Sequence, residues 1–156
     1  MEIASSYILF TLAGTSYAMP SPDVRHIEMV EHVTAVPNAP PFVDGVVFSR
    51  GQVVPVVNLR ARFGFERVAY DERTRLLVVQ AEGRVVGLVA DAAREFVSIP
   101  ESMIHPPHEA LRDMSGAYLA GVATIGDRMV LILDTAEILK SAGGLIPSTG
   151  TLAAHS

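Results

Sequence analysis

Val36-Pro37-Asn38, Phe42-Val43-Asp44-Gly45-Val46, Ser49-Arg50-Gly51 and Val53-Val54-Pro55-Val56-Val57-Asn58-Leu59 follow one another along the chain, and their order decides the fold class. The stretch reads as a turn, a β-hairpin and a helix start. Ser49-Arg50-Gly51-Gln52 places turn residues between two apolar runs, the signature of a short hairpin. The one charge at that bend is Arg50. An apolar hairpin carrying a single guanidinium at its tip is a surface held out for a partner.

The same pattern recurs on either side of this stretch. Tyr7 to Leu12 leads through Gly14 to Tyr17-Ala18-Met19, Leu76 to Gln80 leads through Glu82-Gly83 to Arg84–Val89, and Leu119 to Thr124 leads through Gly126-Asp127 to Met129–Leu133. Four hairpins at fairly even spacing predict an all-β barrel class. The strands are apolar on both faces, so much of the sheet must be enclosed. Helices are expected to be few. Asn58 to Phe63, stopped by Gly64, predicts one or two turns. Asp134-Thr135-Ala136-Glu137 resembles a capping box and predicts a short C-terminal helix from Asp134 to about Ala142. Pro20-Ser21-Pro22-Asp23 and Pro40-Pro41 mark turns.

A chain of 156 residues fits one domain, or two small lobes sharing a core. Its composition, 49% apolar and 19% charged, is too apolar for disorder. The net charge is -5 and no basic stripe exists, so no nucleic-acid partner is expected, and nothing draws the chain to anionic lipid. The absence of cysteine excludes disulfides, zinc thiolates and Cys nucleophiles. No secretory signal is expected at Met1–Ser6, and the apolar runs are too short to insert in a bilayer. A folded unit is expected over 5–142, with a mobile tail over 143–156 that carries no Lys, Arg, Asp or Glu.

The ordered pieces resemble CheW-like domains. They are Phe10-Thr11-Leu12 with Tyr17-Ala18-Met19, Val24–Ile27, Val36–Pro40, Phe42–Gly45, Arg50-Gly51, Val54–Arg60, Arg84–Asp91, Tyr118–Val122 and Gly126–Asp134. The resemblance implies two intertwined, SH3-like five-stranded β-barrels. It implies a non-catalytic adaptor with no cofactor, cytoplasmic and recruited to membrane-associated receptor arrays. The partners it implies are the regulatory domain of a CheA-type histidine kinase and the cytoplasmic tip of methyl-accepting chemoreceptors. Residue by residue, it assigns partner contact to Val24 and close backbone approach to Gly45 and Gly87. It assigns receptor and kinase coupling to Arg50, and an apolar position at the receptor groove to Leu76. The chain departs from the pattern at His26, where the family usually has Glu, and at Phe48-Ser49, where it usually has Asn-Leu. His26 is therefore expected to leave a partner surface without its usual negative charge, and a non-flagellar pathway such as pili or gliding is the alternative setting.

Other chemistry is poorly supported by the residues. His105-Pro106-Pro107-His108 offers two imidazoles, but the prolines forbid a helical metal pair, and a loop with exposed histidines is the simpler reading. Ser49, His26 and Asp44 could be cast as the triad of a small β-barrel hydrolase, but no G-x-S-x-G elbow surrounds a serine. No phosphate-binding Gly-rich loop is present.

Overall fold

All four expected hairpins form. They are β1 (Ala4–Leu12) with β2 (Thr15–Pro20), β4 (Val43–Ser49) with β5 (Gln52–Asn58), β6 (Arg75–Ala81) with β7 (Arg84–Ala90), and β10 (Leu119–Ile125) with β11 (Arg128–Leu133). The computed structural model describes residues 3–108 and 118–141, so the tail expected over 143–156 lies outside the described residues. Three further strands carry no hairpin signal of their own: β3 (Val24–Met29), β8 (Ala92–Pro100) and β9 (Ile104–His105). β3 is entered through a 3-10 turn at Ser21–Asp23, where Pro20 and Pro22 bend the chain without needing amide donors. β8 runs along a sheet edge and turns mainly Val97 and Ile99 inward.

The strands make two sheets. One has the order β8-β1-β2-β11-β10-β9 and the other β3-β6-β7-β5-β4. The second sheet is inserted in the sequence between β2 and β8, which is how the two lobes intertwine. Five strands per lobe were expected. The first sheet has a sixth, because a 3-10 turn at Glu101–Met103 folds two residues back onto β10 as β9. Each sheet also contains one parallel pair, β2 with β11 and β5 with β7.

Strand alternation sorts the apolar residues into three cores. On β7, Val85 and Val89 face one way while Val86, Leu88 and Ala90 face the other. On β6, Leu76 and Val78 pair with the first set and Leu77 and Val79 with the second. One core therefore fills the five-stranded lobe, around Val47, Val54, Val56, Leu76 and Val78. A second fills the six-stranded lobe, around Leu9, Ala18, Ile99, Ala123, Val130 and Ile132. The third lies between the sheets, where Ile8, Phe10, Leu12 and Met19 meet Val57, Leu77, Val79 and Leu88. This accounts for strands that are apolar on both faces.

The two helices form where their caps predict. α1 (Leu59–Arg62) starts on Asn58, whose side-chain oxygen accepts from Ala61 N–H at 3.1 Å. α2 (Thr135–Ser141) starts on Asp134, which accepts from Glu137 N–H at 3.1 Å. Ile138 and Leu139 of α2 close one side of the core between the sheets.

Candidate partner-binding surface

Val24, His26, Gly45, Arg50, Leu76 and Gly87 all fall in the five-stranded lobe. Three of them share one row across the sheet. His26 on β3 is opposite Val78 on β6, Val78 is opposite Gly87 on β7, Gly87 is beside Val56 on β5, and Val56 is opposite Gly45 on β4. The row crosses every strand of the lobe.

The two glycines are required by contact. Gly45 sits at φ +146°, and a Cβ there would lie 2.1 Å from the Thr34 carbonyl oxygen. That closeness lets Thr34 and Val46 exchange backbone hydrogen bonds of 2.9 Å each, pinning the segment after β3 against β4. A Cβ on Gly87 would lie 2.7 Å from Leu76 Cδ1. Leu76 itself is only 1% exposed and belongs to the core of its lobe. The resemblance places it as an apolar residue at the receptor groove, and it forms part of the floor of an open groove whose lining includes Glu28, Met29, His32 and Phe48. Val24 is half-buried and packs against the core between the sheets.

Arg50 stands at the β4–β5 tip and is exposed. Its φ of +49° and that of Gly51, +83°, give the turn two left-handed residues, the geometry that matches the twist of a two-residue hairpin. Beside it Phe48 is 75% exposed, and across the lobe Met29 is 54% exposed. A large apolar side chain so exposed next to a guanidinium is the composition of an interface anchor. Phe48 entered the sequence reading only as a departure from a pattern; its alternation with buried Val47 and Ser49 was the signal that it faces outward.

His26 is held rather than free. Its Nε2 lies 2.9 Å from Glu28 Oε2 and 3.2 Å from Ser49 Oγ, and Ser49 donates to Glu28 at 3.0 Å. These contacts join β3 to β4, the two outer strands of the sheet, and so close the lobe into a barrel. The expectation that His26 leaves the spot without an acid is corrected: Glu28, two residues along the same strand and on the same face, supplies a carboxylate. Sequence reading missed Glu28, although that period of two pointed to it.

The candidate triad does not assemble. Ser49 and His26 meet, but Asp44 binds Asn58 Nδ2 at 3.0 Å and also Arg67 and the Tyr70 hydroxyl. Nor can Glu28 take its place. It sits on the same imidazole nitrogen as Ser49 and accepts the serine proton itself, whereas a triad needs the carboxylate on the opposite nitrogen. Asp44 is a structural anchor. Burial alone would raise its pKa, but the hydrogen bonds from Tyr70, Arg67 and Asn58 together outweigh burial and hold it below the ordinary value. Burial and then the Asp44 contact push the Tyr70 phenol upward. His105 is exposed on β9, so the histidine-bearing loop begins one residue later than expected. Among the described residues no group of three or more His, Asp or Glu could hold a metal ion, and no helix is long and apolar enough to cross a membrane.

The comparisons agree with this architecture. The family model described as CheW-like domain matches residues 6–143. The chain belongs to the CheW-like family. A chemotaxis protein CheW from Klebsiella aerogenes is 32% identical over 139 residues, spanning 89% of this chain and 84% of that one. Another from Helicobacter pylori is 34% identical over 139 residues, with the same coverage of 89% and 84%. The crystal structure of the scaffolding protein TtCheW from Thermoanaerobacter tengcongensis superposes with a TM-score of 0.81 at 28% identity, covering 88% of this chain and 94% of that one. His26 and Ser49, the two positions that the resemblance sets apart from the usual residues, touch each other.

Proposed function

We propose that this protein is a non-catalytic coupling adaptor of a chemosensory system. It joins a CheA-type histidine kinase, through that kinase's regulatory domain, to the cytoplasmic tip of methyl-accepting chemoreceptors, and it reaches membrane-associated arrays from the cytoplasm through those partners. The observation that carries the reading is the CheW-like match over nearly the whole chain. The exposed Phe48 and Arg50 at the β4–β5 bend support it. An adaptor transmits a signal only if its contacts differ between the kinase-on and kinase-off states. The lobe that bears Val24, His26, Gly45, Arg50, Leu76 and Gly87 is the one proposed to make the partner contacts.

The test is reconstitution. Purified protein is mixed with a CheA-type kinase and a receptor cytoplasmic fragment, and binding and autophosphorylation are followed. Binding to both partners, with kinase activity that depends on the added protein, is the expected result. Failure to bind either partner, or hydrolytic turnover of a model ester that is lost on Ser49→Ala, overturns the reading.

A further inference from the structure

Arg62, the last residue of α1, reaches the seam between the lobes, and no acid among the described residues answers its charge. Its guanidinium carbon lies 4.9 Å from the centroid of Phe42 and 4.9 Å from that of Tyr118, so the cation is in contact with both rings. One terminal nitrogen donates to the Tyr118 hydroxyl, and Nε is buried with no hydrogen-bond partner. No described carboxylate pairs with it, although Arg60 and Arg67 nearby each have one. A half-buried cation left without an anion is costly, and so is an unmade hydrogen bond.

The guanidinium borders a cavity of about 290 Å³ lined by Tyr17, Phe63, Phe65, Leu131 and Leu133. Tyr17, Leu131 and Leu133 come from β2 and β11 of the six-stranded sheet, while Phe63 and Phe65 come from the segment behind α1. We propose that this cavity binds a small aromatic carboxylate, with the acid on the outer edge of the Arg62 guanidinium and the ring against Phe63 and the two leucines. Three observations choose that class. A single cation calls for a monoanion, and the planar fork of Arg matches a carboxylate. The walls are aromatic and apolar, which disfavours nucleotides and polyphosphates. The volume is at the lower end of small-molecule sites, about 300 Å³, and suits a one-ring ligand. Its lining includes none of Val24, His26, Gly45, Arg50, Leu76 and Gly87. Because its walls come from both lobes, an occupant contacts both.

The experiment is a titration of the full chain with phenylacetate and with its uncharged analogue phenylacetamide, read by two-dimensional amide NMR. Saturable shifts are expected at Tyr17, Phe63 and Leu131, with the amide binding about tenfold more weakly, as the loss of a charge-assisted contact requires. Arg62→Met keeps the apolar stem and should erase the preference for the acid, and Leu131→Phe should fill the cavity and abolish both responses. If Arg62→Met does not fold, the comparison of acid with amide on the native chain carries the charge test and Leu131→Phe the volume test. No saturable shift up to about 10 mM, where so small a ligand should register, overturns the proposal. Equal response to acid and amide overturns it too, as do shifts confined to residues away from the cavity.

Discussion

Gly87 has room for a hydrogen and nothing larger, because Leu76 fills the space where a Cβ would stand, 2.7 Å away. Gly87→Ala should therefore destabilise the chain by about 1–3 kcal/mol through overpacking. The neighbour is a side chain rather than backbone, so Leu76→Val in the same chain should recover part of the loss, a non-additivity that chemical denaturation of the two single variants and the double variant would measure. Additive losses would mean that the two residues do not share the space. Gly45 offers no such rescue, since its obstacle is the Thr34 carbonyl. Arg50 is the opposite case. It is exposed at a turn and has no ion-pair partner among the described residues. Arg50→Ala should leave the melting temperature unchanged and weaken kinase binding by roughly 1–3 kcal/mol, the usual range for an interface arginine. Titration calorimetry with the kinase regulatory domain reads it, and wild-type affinity would remove Arg50 from the interface.

At the scale of elements, the segment from α1 to β6 is strapped down by two carboxylates. Asp91, just after β7, accepts from Arg60 Nε at 2.8 Å and from Arg60 Nη2 at 2.7 Å, and also from Ala13 N–H at 2.9 Å in the β1–β2 turn. It thus ties α1 of one lobe to a hairpin of the other. Burial opposes its charge, but the Arg60 and Ala13 contacts prevail and its pKa is lowered, as is that of Asp44. A carboxyl more acidic in the folded chain than in the unfolded one adds stability above the unfolded value, about 3.9, and loses it as pH falls through the folded value. Urea midpoints should therefore hold steady from neutrality to about pH 5 and drop toward pH 3. Asp91→Asn should lower the midpoint at neutral pH and make that drop shallower; an unchanged acid profile would rule out Asp91 as a contributor. Neither strap was legible in the sequence, because Asp44 with Arg67 and Asp91 with Ala13 are contacts between distant segments that leave no local period. What was legible is local. The four hairpins announced themselves through glycine bends and both helices through Asn58 and Asp134. β3 and β8 were missed because strands entered by 3-10 turns or run along an edge lack the bend or the unbroken apolar run. The candidate site divided in the same way. Arg50 could be read from its turn, whereas the His26–Glu28–Ser49 contact needed β3 and β4 to be brought together around the barrel.

The whole molecule is bound by the core between its sheets. Leu76 and Leu77 are neighbours on β6 and are 1% and 0% exposed, yet they serve different cores. Leu76 packs inside the five-stranded lobe, while Leu77 packs with Phe10 and Leu12 of the other sheet. If the lobes were separate folding units, loss of Leu77 would loosen their docking and leave two transitions. The shared cluster instead draws on strands of both sheets and on α2, and the chain crosses between the sheets at the Ser21–Asp23 turn and again at Asp91. Neither lobe can bury its second apolar face alone, so the two should unfold together. Leu77→Ala should cost about 2–5 kcal/mol by opening a cavity in that cluster. It should shift one transition as a whole, with far-UV circular dichroism and tyrosine fluorescence remaining coincident in urea. Two resolved transitions, or probes that separate in the variant, would show that the lobes hold themselves up independently and that the interface between them is only docked. A single transition would mean that the lobe proposed to make the partner contacts keeps one fixed relation to the other lobe for as long as the chain is folded.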